Sequence, residues 1–564
     1  MSDTTAQVMD VRKAEQILLV AFCTLIVIPL LYLGRLADDN TLTSWKWVFP
    51  VTGILQLFFV LVPALLCAYA LSGLRIAGRG AYAFVAALSI SSVLPLWQEP
   101  EAVIDASRYF VQAKYLSQYG AAYFVREWGG LIHAWTDLPL VPFLYGLIFS
   151  WFGEDRVYIQ VFNTLLFALT CMLTFAVGNK LWDEETGLNA ALLLIGIPYL
   201  LTQVPLMLVD VPTMFFLSLS VYAFLNAIDK GGVAWISASS VALFMALFSK
   251  YSAWPMLCVI PLIALLTAGD ARTAARRSAA VLLMTAILAA TLIFLRFDFF
   301  REQMTTLWTY QWPGLNRWQE GYVSTFLFQS HPFLAPLALL GTYRAVRARE
   351  SRFLIAGWFA VFVFLLQIKR IRYILPLFPL FALMAACGLH AFRDRGVRMF
   401  ICLCVVASSV VIACGAYLPF LNSTSMANLR DAGRYLDTLE CNAVEVHALR
   451  QEDSSGSTFA AIPILDYFTG KRIFSPQEWP VHPENSDTRQ SSLRFTWEAR
   501  KPELYSKTGA AEGCALAVVS SRVVDRIPAE LSGGGRGAFE ELKRFDRSSG
   551  IFKYQTFVTI FKKQ

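Results

Sequence analysis

Long apolar runs separated by short polar linkers fill the chain up to about residue 421. They lie at about 17–34, 47–73, 81–97, 157–177, 188–204, 211–228, 234–249, 252–268, 279–297, 332–343, 353–368, 373–389 and 399–421. A helix needs roughly 17 or more apolar residues to cross a bilayer. The pattern therefore predicts about 13 transmembrane helices. The run 139–152 is different: it is short and carries Pro139 and Pro142 near its start, which suits a re-entrant or interfacial helix. The first run follows a polar segment with Arg12 and Lys13 and has no clear small-x-small cleavage site, so it reads as an uncleaved helix rather than a signal peptide.

Beyond residue 421 the long apolar runs stop and charge density rises. Residues 426–439 place apolar side chains at helical spacing, and 444–449, 515–519 and 554–561 read as short strands. A small α/β domain over 422–564 is expected, following N-terminal helices (1–80) and a membrane domain (81–421). Cys441 and Cys514 each stand just before one of these strands. If the strands are neighbours, the thiols fall within disulfide reach, and an oxidising location outside the cell would preserve the bond.

Composition agrees with a membrane protein. Of the 564 residues, 56% are hydrophobic and 16% charged, against roughly 25% charged in a soluble domain. Mean hydropathy is +0.51. Disorder, a fibrous repeat and a small disulfide scaffold are excluded. The net charge of +7 sits in short clusters between apolar runs, a membrane-loop pattern rather than a nucleic-acid footprint. The clusters Arg272/Arg276/Arg277, Arg344/Arg347/Arg349/Arg352 and Arg393/Arg395/Arg398 are expected in the cytoplasm. Counting back from them puts Arg12 and Lys13 inside only if 139–152 does not cross. Segment 98–156 then becomes one external loop, 422–564 is external, and Asp210 sits at an external helix mouth. Lys369, Arg370 and Arg372 break the charge rule, one apolar run away from the Arg344–Arg352 cluster. They are either snorkelling helix-end residues or an anion site, and three cations on the disfavoured face, followed by Tyr373, suit a phosphate.

The loop 98–156 holds further candidates. Asp105, Arg108 and Tyr109 open a stretch, 105–119, with the spacing of a helix lying on the membrane. Asp105 there either caps the helix, accepts a proton from a hydroxyl nucleophile or holds a divalent metal. Asp210, before Pro212, and Lys250, before Tyr251, are charges beside hydrocarbon, costly enough to suggest function. The plainer readings are a helix cap for Asp210 and snorkelling for Lys250. His331 opens a helix after an aromatic-rich segment, 298–330, with Trp308, Tyr310, Trp312, Trp318 and Tyr322. Walker, G-x-G-x-x-G, H-E-x-x-H and Cys/His metal patterns are absent, so nucleotide-driven pumping has no support.

Taken in order, these motifs resemble a known family. An acid in the first large external loop has Arg-Tyr three positions on. A Pro-Leu helix start, an Asp-x-Pro, a Ser-Lys and finally Lys369-Arg-Ile-Arg372-Tyr373-Ile-Leu-Pro376-Leu-Phe-Pro379 follow. The set, over about 81–390, is similar to the type C glycosyltransferases of the protein O-mannosyltransferase and aminoarabinose-transferase kind. The chain departs from that pattern with Ala106 where the family often has Glu, and with Asp137 in Asp-Leu-Pro-Leu where it has Lys. The resemblance implies transfer of a sugar from a polyprenyl-phosphate donor to a hydroxyl of a glycan, lipid or protein. Asp105 would be the base and Asp210 would orient the acceptor or help hold a divalent metal, the cofactor being left open. Lys369, Arg370, Arg372 and Tyr373 would hold the phosphate, with Arg108, Tyr109, Lys250 and His331 as further substrate contacts. It implies a bacterial inner membrane with the site on the external face. A lipid or polyol transporter and a non-catalytic lipid-binding assembly subunit remain as alternatives, though internal repeats and broken mid-bilayer helices are not evident.

Overall fold

The computed structural model describes residues 2–40, 44–100, 104–267, 269–314, 320–449, 456–479, 491, 493–506, 515–524, 539–550 and 554–563. Every one of the thirteen apolar runs is helical. Among the described residues, eight helices are long and apolar enough to cross a membrane. Val233–Ser249, Ala253–Thr267 and Phe353–Leu365 are shorter apolar helices. The run 188–204 is split into Glu184–Ile195 and Pro198–Gln203, because Pro198 has no N–H to continue the first helix. With no water in hydrocarbon to satisfy the backbone, helices are the expected form for these runs.

Burial separates the lipid face from the protein interior. The windows in Ala271–Leu295 and Ile54–Ser72 are only 11% and 22% buried, and they expose Leu283, Phe294, Leu55 and Phe59. In a soluble protein such surfaces would drive association; here they face lipid. Ile371–Leu389 and Asp210–Asp229, at 94% and 83%, run through the centre of the bundle. Asp210 and Arg372 therefore stand on the two most enclosed spans.

Six helices position the site: α1 (Ile104–Glu127), α2 (Leu140–Phe152), α3 (Asp210–Asp229), the single turn α4 (Ile371–Ile374), α5 (Met426–Asp437) and α6 (Ala461–Tyr467). α2 has 13 residues, a length of about 20 Å, short of the ~30 Å hydrocarbon core. It lies against α1 at close range: a Cβ on Gly146 would stand 2.6 Å from Leu116 Cβ and 3.0 Å from the Ala113 carbonyl. α1 bends at Gly120, whose φ of 83° an L side chain adopts at a cost. It was expected to lie on the membrane surface. Instead its Ala106–Leu116 portion is enclosed, because α2 covers one side and α6 another.

The C-terminal region is a five-stranded sheet of order β2-β1-β3-β5-β4, built from β1 (Ala443–Ala448), β2 (Arg472–Phe474), β3 (Ala515–Ser520), β4 (Phe539–Phe545) and β5 (Phe557–Lys563). β1 pairs in parallel with β2 and β3, while β5 is antiparallel to β3 and β4. Val444, Val446, Ala517, Val519 and Ile560 pack with α5 and α6 into the same apolar cluster that holds Tyr109, Phe110 and Tyr145. The sheet and the site-bearing helix thus share one core. Polar bonds reinforce it: the buried Lys114 ammonium on α1 meets both Asp466 oxygens of α6 at 3.1 and 2.8 Å, and the Tyr505 hydroxyl donates to Asp466 at 2.8 Å. β1 and β3 are neighbours, as the cysteine argument required, and Cys441 is disulfide-bonded. Cys514 lies outside the described residues, and the eight other cysteines are free.

Candidate active site

A chain of alternating charges joins five segments of the chain. Arg372, on α4, is its centre. Its Nη1 donates to Asp105 Oδ2 at 2.6 Å and its Nε to Asp210 Oδ2 at 2.9 Å. Lys250 donates to the other oxygen of Asp210. On the far side, Arg108 Nη2 stands 3.3 Å from Asp105 Oδ1 and grips Asp137 through two bonds of 2.5 and 3.0 Å. Three carboxylates and three cations interleave, so each buried charge has an opposite neighbour, as low dielectric demands.

Local structure explains the placement. Asp105 and Arg108 are one turn apart on α1 and so share a face. Asp210 is the first residue of α3, behind a loop pinned by Tyr145, whose hydroxyl donates to the Leu208 carbonyl at 2.7 Å, and by Asn163, which donates to the Leu206 carbonyl at 2.8 Å. Pro376 and Pro379 restrict the chain to a single helical turn carrying Arg372 before the next helix begins.

Accessibility differs sharply within the network. The side chain of Asp105 is 24% exposed, that of Asp137 6% and that of Asp210 0%. Of the three carboxylates, Asp105 alone is open enough to meet a reactant directly. Burial pushes the Asp105 carboxyl up, but Arg372 and then Arg108 outweigh it and hold it well below the usual carboxylate range. It is therefore ionised throughout the neutral range. Replacing Arg108 with Gln removes one of these cations and raises the Asp105 pKa. The acid limb of the pH–rate profile is then expected to move to higher pH than in the wild type. An unmoved limb would mean that Asp105 ionisation does not govern the rate.

Of the other residues singled out from sequence, Tyr109 donates to Asp137 at 3.2 Å. Tyr373 is flanked by Lys250 and Arg370, each 5.3 Å from its ring centroid. Arg370 also meets Glu320 at 3.6 Å, and Lys369 lies 5.9 Å over the Tyr322 ring. His331 does not join the cluster. Its Nε2 meets Ser408 at 2.9 Å and its Nδ1 accepts from the Phe333 N–H, tying two helices together. Trp318 lies outside the described residues. Asp137 and Glu320 were not recognised from sequence as site residues. The one signal for Asp137 was an acid standing where the resembled family has Lys.

The network does not suit a divalent ion. No group of three His, Cys, Asp or Glu side chains able to hold a metal occurs among the described residues. Asp105 and Asp210, the natural ligands, already share the Arg372 guanidinium.

Asp137, Asp210 and Lys250 lie within the stretch that resembles a known family. Residues 133–296 match the family described as dolichyl-phosphate-mannose-protein mannosyltransferase. No curated protein sequence matches the chain. ArnT from Cupriavidus metallidurans in the apo state is 12% identical, with a TM-score of 0.55 over 85% of this chain and 97% of that one. The structure of the same protein bound to undecaprenyl phosphate is 14% identical, with a TM-score of 0.55 over 86% and 98%. At these identities the structural likeness speaks for fold. The chain has the fold of the ArnT structures, and its residues 133–296 resemble the mannosyltransferase family.

Proposed function

We propose that the chain moves a sugar from a polyprenyl-phosphate donor to an acceptor hydroxyl, with Asp105 as general base. The observation that carries this reading is the bridge of Arg372 between Asp105, the one accessible carboxylate, and the enclosed Asp210. Undecaprenyl phosphate in the ArnT structure supports the donor class. A donor phosphate arriving at Arg372 and Tyr373 competes with Asp105 for the guanidinium and frees the carboxylate to act. Asp105 then takes the acceptor proton as the acceptor oxygen forms a bond to the anomeric carbon. The carbon–oxygen bond to phosphate breaks on the opposite face, inverting the centre, and the polyprenyl phosphate leaves. Arg372 and Arg370 stabilise the charge that develops on that phosphate. Asp210 and Lys250 hold Arg372 in place and touch no reactant.

Mass spectrometry of membrane lipids and glycans tests this. Cells carrying wild-type protein should contain a glycosylated species that is lost on deletion and is not restored by Asp105→Asn. Identical profiles in all three would sink the proposal. We further propose that the site faces the exterior of a bacterial inner membrane, with 98–156 outside and 139–152 not crossing. Cysteines introduced at Gly153 and Asp155 should react with an impermeant reagent in intact cells. Protection until lysis would invert the assignment.

A further inference from the structure

Beside the charge network, on the Arg108 side of Asp105, stands a group of polar atoms that protein packing leaves unmatched. Gln112 is 1% exposed, and its Nε2 donates both to Asp137 (3.2 Å) and to the His133 carbonyl (3.0 Å). That fixes its amide orientation and leaves Oε1 enclosed without a partner. Gln303, 5% exposed, likewise donates its Nε2 to the Trp135 carbonyl and leaves its Oε1 unmatched. The enclosed His133 Nε2 is the third such atom. An enclosed acceptor without a donor is costly and uncommon, so three together ask for a ligand rich in hydroxyl donors.

Aromatic side chains cluster beside His133. Trp135 meets Tyr310 edge-on at 5.2 Å and His133 at 5.9 Å, and Arg494 lies 4.8 Å over the Tyr310 ring. Trp135 has φ of 52°, a left-handed conformation that a bulky residue adopts at a cost and that concentrates at ligand sites. Burial, then the charges of Arg500 and Arg108, bring the His133 pKa down to about 4, so the ring is neutral and Nε2 can accept.

We propose that Trp135, Tyr310, Gln112, His133 and Gln303 form a saccharide subsite that receives a sugar ring of the acceptor. Aromatic faces flanked by hydrogen-bond acceptors match a ring with apolar C–H faces and hydroxyl edges. The acceptor is assigned, rather than the donor sugar, because Asp105 divides the site. Its Oδ2 faces Arg372 and its Oδ1 faces Arg108, beyond which lie Asp137, Gln112 and His133. The inference rests on the glycosyltransferase reading and narrows its acceptor to a glycan.

Full-length protein in lipid nanodiscs, probed by saturation-transfer NMR with a panel of methyl aldohexosides, hexosaminides and pentosides, tests it. At least one glycoside should bind, and Trp135→Ala and Gln303→Leu should each weaken it about tenfold or more. Undecaprenyl phosphate should bind both variants normally and should not displace the glycoside. The subsite is overturned if no glycoside binds the wild type, or if both variants bind as the wild type does. Displacement by undecaprenyl phosphate would overturn the acceptor assignment. Arg372→Ala should retain the glycoside while losing the lipid; a wild type that binds glycoside but not undecaprenyl phosphate would remove the donor reading and leave the sugar site standing.

Discussion

Asp105→Asn is expected to lower turnover by about 10²-fold or more, the usual scale for a lost general base, with undecaprenyl phosphate binding near the wild-type level. The amide is nearly isosteric and its oxygen still accepts from Arg372, so α1 keeps its place. What the amide cannot do is take a proton. The prediction is sharp because the other carboxylates of the network are enclosed: Asp210 is 0% exposed and Asp137 6%. Neither can substitute without the network opening. Initial rates, together with equilibrium binding of radiolabelled lipid on the same preparation, decide the matter. Turnover within a few-fold of wild type would mean that Asp105 serves only to tie Arg372, and that the base lies elsewhere.

Arg372→Ala should be felt both in stability and in the donor. Removing the guanidinium leaves Asp210 enclosed with Lys250 alone. The expected destabilisation is about 3 kcal/mol, the lower end for breaking a buried pair, because one cation remains. A phosphate contact exists before the transition state, so lipid binding and rate should fall together. Arg372→Lys should recover part of the stability and little of the activity, since an ammonium cannot present a planar fork to two carboxylates. Thermal unfolding and lipid binding check these expectations in parallel. Unchanged values of both in Arg372→Ala would show that the bridge is incidental.

The architecture was legible because hydrophobic patterning is local. Each transmembrane run announces itself within about 20 residues, and α5, β1, β3 and β5 followed from spacing of the same kind. Asp105, Asp210, Lys250 and Arg372 could be picked out because charge beside hydrocarbon is costly wherever it occurs. Their pairing could not, since the bonded partners lie 40, 162 and 267 positions apart. His331 was singled out for opening a helix after the aromatic-rich segment, yet its ring is satisfied by Ser408 and a backbone N–H. Asp137 was read as a missing cation, when it is the anion that holds Arg108. β2, with three residues, and β4, Phe-Glu-Glu-Leu-Lys-Arg-Phe, escaped notice because edge strands are kept short and charged.

The contact between Lys114 and Asp466 spans 352 positions of sequence. At 5–20 residues per second, a ribosome needs roughly 20–70 s to travel from one to the other. Throughout that interval the helix bearing Asp105 is already made, yet the groups that fasten its flank are still unsynthesised. The flank of α1 is thus fastened only late in synthesis, and a chain ending before Asp466 lacks this clamp on the helix that bears Asp105.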